Sequence, residues 1–159
     1  MSGGSLQADL KKREPFGCAE QEAMIGLWRV SDWSMNRFGA LFREYELTSS
    51  QYNVLRILRG AGEPLPVQEV ACRMIQPVPA MTGLVDRLEK ASLVERRRIS
   101  DDRRVIHVAL MKKGEAVLKK LDKPVVELHE KVMAGLSKSE VKQLVGLLGK
   151  LAEKMKECE

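Results

Sequence analysis

Apolar residues recur at steps of three and four along most of this chain, which is the spacing of one face of an α-helix. The longest such stretch runs from 19 to 45 and predicts a long amphipathic first helix. Its apolar positions are Met24, Leu27, Trp28, Met35, Phe38, Leu41, Phe42 and Tyr45. Residues 1–18 lack this pattern and include Pro15 and Gly17, so we expect a mobile N-terminal tail there.

Three shorter helices are predicted in the middle of the chain. Thr48 and Gln51 have capping-box spacing, which predicts that the second helix begins near Ser49. A short third helix is expected to carry Pro66 in its first turn, where proline is tolerated. Two prolines then predict a turn, after which the fourth helix should begin at about Pro79.

The fourth helix is predicted to be two-faced. Its packing face is Met81, Leu84, Val85 and Leu88, at the i, i+3, i+4 and i+7 positions. The opposite face is free of packing residues and consists of Ala80, Thr82, Gly83, Asp86, Arg87 and Lys90. One face therefore packs on the core and the other is available to a partner.

A hairpin and two further helices complete the pattern. Residues 93–99 and 105–110 read as two strands joined by a polar turn. A fifth helix follows, in which Pro124 should cause a kink, and Ser137 with Glu140 forms a capping box that opens a sixth. The predicted class is mainly α with a small two- or three-stranded β-wing, a winged helix-turn-helix.

Positive charge is concentrated in the hairpin. The chain has 159 residues, is 31% charged and carries a net charge of +5. Five arginines lie within nine residues of the hairpin: Arg96, Arg97, Arg98, Arg103 and Arg104. In a winged helix-turn-helix the second helix of the pair enters the major groove while the hairpin reaches phosphates or the minor groove, so double-stranded DNA is the expected partner.

This arrangement resembles the MarR family of transcriptional regulators. The residues that carry the resemblance are Leu47 to Tyr52 with Val54 and Leu55, Thr82, Leu84 to Lys90, Leu93 to Arg96, Asp102, Arg104, Val108 and Leu110. The resemblance implies a six-helix homodimer in which 19–46 and 111–159 form the dimerisation lobe. Residues 47–110 would form the winged helix-turn-helix lobe that binds DNA.

The DNA-binding residues expected from this placement lie on the reading helix, the turn before it and the wing. They are Gln76, Pro79, Ala80, Thr82, Gly83, Arg87, Arg96, Arg97, Arg98, Arg103 and Arg104. The start of the reading helix departs from the family pattern, since apolar residues stand where serines are common and Gly83 follows Thr82. We therefore expect few direct base hydrogen bonds, with Val78, Ala80 and the Thr82 methyl packing on thymine methyl groups.

Two acids are expected to orient the wing. Asp86 would repel phosphates from the DNA-facing side of the helix, so we predict that it pairs with Arg104 in the hairpin and fixes the wing angle. Asp102 is expected to order the hairpin turn through backbone amides. Ser92 replaces the glycine common after the reading helix, which leaves that helix end without its usual left-handed residue.

Other chemistry is sparse in the sequence. His107 and His129 are far apart, no acid, base and nucleophile set converges, and neither a cofactor nor a metal site is predicted. The cysteines are odd in number; Cys72 is expected in the core, and oxidant sensing by Cys18 or Cys72 stays open.

A small aromatic acid is a candidate effector, with Trp28, Arg29 and Ser49 as its predicted cleft. The sequence has neither a signal peptide nor an apolar run long enough for a membrane, so a cytoplasmic location is expected. The favoured reading is a repressor that binds a pseudo-palindromic operator as a dimer. The alternatives are a winged-helix module that binds proteins or binds DNA without sequence preference, and an enzyme.

Overall fold

The computed structural model describes residues 6–98 and 105–156, and within these ranges the chain forms seven helices and one three-stranded sheet. The helices are α1 (Leu6–Asp9), α2 (Ala19–Arg43), α3 (Ser49–Ala61), α4 (Val67–Cys72), α5 (Met81–Lys90), α6 (Lys112–Met133) and α7 (Lys138–Lys156). The strands are β1 (Leu65–Pro66), β2 (Val94–Arg97) and β3 (His107–Leu110). The predicted mainly helical fold with a small wing is confirmed.

Local capping sets the bounds of α2 and α3. The capping box at Thr48 is formed: its hydroxyl accepts from the Gln51 amide at 3.2 Å, and the Gln51 side chain accepts from the Thr48 amide at 2.8 Å. Gly62 ends α3 in the left-handed conformation, with φ at +71°, which a glycine adopts without strain. The first long helix ends at Arg43 instead of Tyr45, because Glu46 turns the chain with φ at +58°.

The sheet contains a third strand, β1, whose position the sequence did not predict. Its order is β1-β3-β2 with antiparallel pairing, and Val108 lies opposite both Leu65 and Arg96. Pro66 was expected inside the third helix, but it belongs to β1 and is the N-cap residue of α4. The position suits proline, because β1 is an edge strand of only two residues and proline has no amide to donate.

The wing strands are shorter than predicted. β2 covers Val94–Arg97 and β3 covers His107–Leu110, whereas 93–99 and 105–110 were expected. The segment 99–104 between them lies outside the described residues. Three of the predicted wing residues, Asp102, Arg103 and Arg104, are in that segment.

The core lies between α3, α5, the sheet and α6. Its fully buried side chains include Leu55, Leu88, Leu118, Leu121, Val70 and Val108. Arg59 on α3 forms a two-point ion pair with Asp122 on α6, with nitrogen to oxygen distances of 2.8 and 3.1 Å. This pair and the apolar core hold α3 against the long C-terminal part of the chain.

The two C-terminal helices differ in how they are buried. α6 continues through Pro124 to Met133 without a break and buries Leu118, Leu121 and Val125. α7 opens at the predicted capping box, where Ser137 and Glu140 bond reciprocally, and these bonds hold the pKa of Glu140 below its usual value. α7 buries no residue.

Part of the N-terminal segment 1–18, for which a mobile tail was expected, is helical. Residues 6–9 form α1, and a Cβ built on Gly26 of α2 would lie 3.4 Å from the Leu6 side chain. Leu6 therefore packs on α2, so its part of the tail is not free. Within the described residues, no helix has the length and apolar character needed to cross a bilayer.

Candidate nucleic-acid interface

The helix-turn-helix is formed by α4, the segment 73–80 and α5. α5 begins at Met81 instead of Pro79, because the N-cap residue Ala80 lies outside the helical region, with φ at −119° and ψ at 59°. Met81, Leu84, Val85 and Leu88 are buried as predicted, which fixes the roll of α5 about its axis.

The opposite side of α5 is open. Thr82 and Arg87 are exposed and Gly83 is half-buried; these three residues are called the reading face below. Gln76, Pro79 and Ala80 are exposed on the turn that leads into it. Val78, which was expected to meet thymine methyl groups, is partly buried against the core. The reading face therefore offers one cation and one hydroxyl.

The wing arginines fall into distinct environments. Arg98 is exposed and has no hydrogen bond or ion pair with any described residue. Arg97 is exposed and its Nε donates to Glu95 Oε1 at 2.7 Å, within the same strand. Both side chains are exposed, Arg97 at the end of β2 and Arg98 directly after it.

Arg96 has a different environment from its neighbours. Its side chain is 23% exposed, and its guanidinium bonds Asp86 Oδ1 at 2.6 Å and Glu89 Oε2 at 2.5 Å. Partial burial acts to lower the pKa of Arg96, but the hydrogen bonds and charges of the two carboxylates raise it above its ordinary value. Asp86 thus has Arg96 as a partner, where Arg104 was predicted; Arg104 itself is outside the described residues.

The end of the reading helix also differs from expectation. Ser92 does adopt the left-handed conformation, with φ at +59°, although it is not glycine. Its amide donates to the Glu89 carbonyl at 2.8 Å and the Leu93 amide donates to the Leu88 carbonyl at 3.0 Å. These two bonds are the Schellman pattern, which closes the helix and turns the chain into β2.

A cleft of about 390 Å³ lies beside the helix-turn-helix. It is lined by Ser34, Met35, Phe38, Ser49, Ser50, Tyr52, Asn53, Arg56, Met74, Ile75, Gln76, Val125 and His129. Its volume is in the range of small-molecule sites, and apolar and aromatic side chains supply much of its wall. Met74, Ile75 and Gln76 belong to the segment just before α5, so one wall of the cleft is part of the helix-turn-helix.

Several of the residues that line the cleft are polar, and two of them are hydrogen-bonded to each other. Arg56 Nη2 donates to Asn53 Oδ1 at 2.8 Å, and the Asn53 side chain is buried. Tyr52 stacks on Phe42 with ring centroids 4.1 Å apart, and burial raises the pKa of the Tyr52 hydroxyl, which favours its protonated form. These polar groups can donate several hydrogen bonds to an anionic group.

The predicted effector residues are only partly brought together. Ser49 lines the cleft, but Trp28 and Arg29 do not. Trp28 is 64% exposed, and Arg29 lies over the Trp33 ring at 4.7 Å from its centroid. The cleft residues Arg56, Asn53 and His129 were missed; Asn53 at a buried helix position was the one signal that could have indicated them. Cys72, expected in the core, is exposed.

Comparison with known proteins agrees with this geometry. The model of the MarR family matches residues 47–106, which contain α3, α4, α5, β2 and the segment that leads into β3. The transcriptional regulator FarR of Neisseria gonorrhoeae is 30% identical over 129 residues, which cover 81% of this chain and 88% of FarR. The chain belongs to the MarR family.

Solved MarR structures superpose on most of the chain. The MarR transcription factor of Planctomyces limnophilus is 36% identical, with a TM-score of 0.66, and the match covers 85% of this chain and 98% of that one. NadR, solved in complex with 4-hydroxyphenylacetate, is 28% identical with a TM-score of 0.69 and coverage of 87% and 98%. This MarR-family chain is a DNA-binding transcriptional regulator, and regulators of the family bind DNA as dimers.

Proposed function

We propose that this MarR-family regulator is a cytoplasmic, non-catalytic repressor that binds a pseudo-palindromic operator and is released from it by a small aromatic acid. The observation that carries the proposal is the open reading face of α5 together with two exposed arginines, Arg97 at the end of β2 and Arg98 directly after it. A helix of this size fits the major groove, where Arg87 can reach guanine and the Thr82 methyl can pack on thymine. Arg97 and Arg98 then lie where phosphates or the minor groove pass.

The dimer is proposed from the apolar surface of the C-terminal helix. α7 buries none of its residues within the chain, although it carries a row of large apolar side chains. The exposed ones are Val145, Leu147, Leu148, Leu151 and Met155. A second copy is the occupant that the family's dimeric state favours, and 19–46 with 111–159 is the proposed dimerisation lobe. A two-fold dimer would read two half-sites about one helical turn apart.

An aromatic acid suits the cleft on chemical grounds. Met35, Phe38 and Met74 provide an apolar surface for a ring, and Arg56 is a cation in the lining. Ser49 and Ser50 are the first residues of α3, so a carboxylate there would also face the positive end of the helix dipole. These features support a planar acid or phenol, the ligand class that the NadR structure contains.

Release from DNA would follow because one wall of the cleft is also part of the helix-turn-helix. A ligand between α2 and the segment 74–76 would change the position of that segment, which is continuous with the reading helix. Such coupling requires that the ligand bind the DNA-competent arrangement and the ligand-bound arrangement with different free energies.

The test is a mobility-shift titration on the DNA upstream of the protein's own gene. The proposal predicts a saturable complex that survives excess random duplex and that 4-hydroxyphenylacetate or a related aromatic acid dissociates. Complexes that random duplex removes equally well would instead support the alternative of DNA binding without sequence preference. A specific complex that no aromatic acid affects would contradict the effector part alone.

A further inference from the structure

Arg96 joins the wing to the reading helix at several points. It lies on β2, and its two terminal nitrogens reach Asp86 at 2.6 Å and Glu89 at 2.5 Å on α5. Its Nη2 also lies 3.3 Å from the Thr82 carbonyl, and its backbone amide donates to Glu89 Oε1 at 3.0 Å. The contacts therefore span the first to the last turn of α5.

The geometry needs a planar, forked cation. One guanidinium serves two carboxylates on successive turns of the helix and a backbone carbonyl one turn further back. A lysine ammonium is a compact point charge on a flexible stem and does not reproduce that fork. Loss of the fork would leave the angle between α5 and β2 less constrained even though the positive charge is kept.

The contacts also decide the electrostatics of the surface that meets DNA. Asp86 and Glu89 are partly exposed, at 48% and 39% of their side chains, and would repel phosphates if they stood alone. Arg96 offsets both charges at close range. Its own donors are directed at the protein, in contrast to those of Arg98, which has no partner among the described residues.

We propose that Arg96 is a positioning residue for sequence-specific DNA recognition, one that clamps the wing to the reading helix through Asp86 and Glu89 without binding DNA itself. The inference rests on the proposed DNA-reading role of α5. It differs from the sequence-based expectation that all five wing arginines contact DNA. By setting the angle between α5 and β2, Arg96 then determines whether α5 can contact bases while the wing contacts phosphates.

The experiment compares two variants, Arg96→Lys and Arg98→Ala, with the wild-type protein. Each is titrated on a duplex selected from a randomised pool by the wild-type protein and on a scrambled duplex of the same composition. Arg96→Lys should reduce the preference for the selected duplex on the order of tenfold, as for loss of a coupled network, with an unchanged salt slope. Arg98→Ala should weaken both duplexes alike and lower the salt slope by about 0.9, as for one lost phosphate contact.

Two further variants complete the experiment: the single variant Arg96→Gln, and a double variant that combines Asp86→Asn with Glu89→Gln. If Arg96→Gln melts too low to assay, the Asp86→Asn and Glu89→Gln double variant removes the clamp from the helix side and should lose preference likewise. The proposal would be overturned if Arg96→Lys kept the wild-type preference for the selected duplex. It would also be overturned if Arg96→Gln lowered the salt slope by about 0.9 on both duplexes, because Arg96 would then be a phosphate contact. A wild-type protein that does not distinguish the duplexes would overturn the proposed function, and this inference with it.

Discussion

Gly114 on α6 lies directly against the backbone of Leu93, at the junction of the reading helix and the wing. A Cβ built on Gly114 would stand 2.4 Å from the Leu93 carbonyl oxygen and 2.8 Å from the Leu110 side chain. The same carbonyl accepts from the Met111 amide at 3.0 Å. The start of α6 is therefore held close to the point where α5 passes into β2.

Gly114→Ala is expected to lower the free energy of unfolding by about 1–3 kcal/mol or more, because the methyl group meets backbone and not a movable side chain. Thermal or urea unfolding measures it. Gly146→Ala on α7, where nothing lies within 4 Å of the built Cβ, is the matched control and should be neutral or stabilising. Equal effects of the two substitutions would contradict the close approach at Leu93.

Ser92→Gly is expected to stabilise the protein. Ser92 holds a left-handed conformation that costs roughly 1–2 kcal/mol for residues with a Cβ, and the greater unfolded-state entropy of glycine offsets part of the gain. We expect a net increase of about 0.5–1 kcal/mol in the free energy of unfolding. Ala91→Gly, one residue earlier with φ at −79°, should destabilise instead. The two changes in melting temperature must differ in sign; a lower melting temperature for Ser92→Gly would exclude strain at this position.

The α7 interface is tested by a charge placed in its apolar row. Leu148→Lys should shift the dimer toward monomer, because a charge buried without a partner is costly. Glu153→Gln changes the net charge by the same amount on the side of the helix away from Leu148 and Leu151, and should leave the dimer intact. Light scattering at micromolar concentration reads out both. A wild-type monomer, or dissociation by Glu153→Gln and not by Leu148→Lys, would be inconsistent with this face.

Arg56 is expected to decide effector affinity but not DNA affinity. Arg56→Met removes the cation of the cleft while keeping an apolar stem, so 4-hydroxyphenylacetate should bind more weakly by at least about tenfold, as for a lost charged hydrogen bond of about 1.5–3 kcal/mol. Arg37→Met, at an exposed position that does not line the cleft, is the control. Calorimetric titration with the acid gives the comparison. Unchanged affinity in Arg56→Met would place the carboxylate elsewhere.

The sequence predicted features that depend on a few neighbouring residues. The capping boxes at Thr48 and Ser137 and the buried face of α5 are confirmed, because spacing along one helix determines them. β1 was missed, since two residues carry no pattern and Leu65 becomes a strand only by pairing with Val108.

Features that join distant elements were predicted less well. Arg96 was grouped with Arg97 and Arg98 by charge alone, and its partners ten and seven residues away appear only when β2 folds back on α5. The cleft takes its residues from α2, α3, α6 and the segment before α5, so no local motif describes it. Trp28 was predicted to line the cleft because it is aromatic, but residue type alone does not determine the direction of a side chain.

The most direct test of the central claim is selection of bound duplexes from a randomised pool, carried out in parallel with wild-type protein and with Arg87→Ala. We predict that the wild-type protein enriches an inverted repeat with half-sites about one helical turn apart. Arg87→Ala should still bind DNA but lose enrichment at one position of each half-site, where a good base contact contributes about 1–3 kcal/mol. A wild-type pool without an enriched sequence, or the same repeat enriched equally by Arg87→Ala, would contradict base reading by this face of α5.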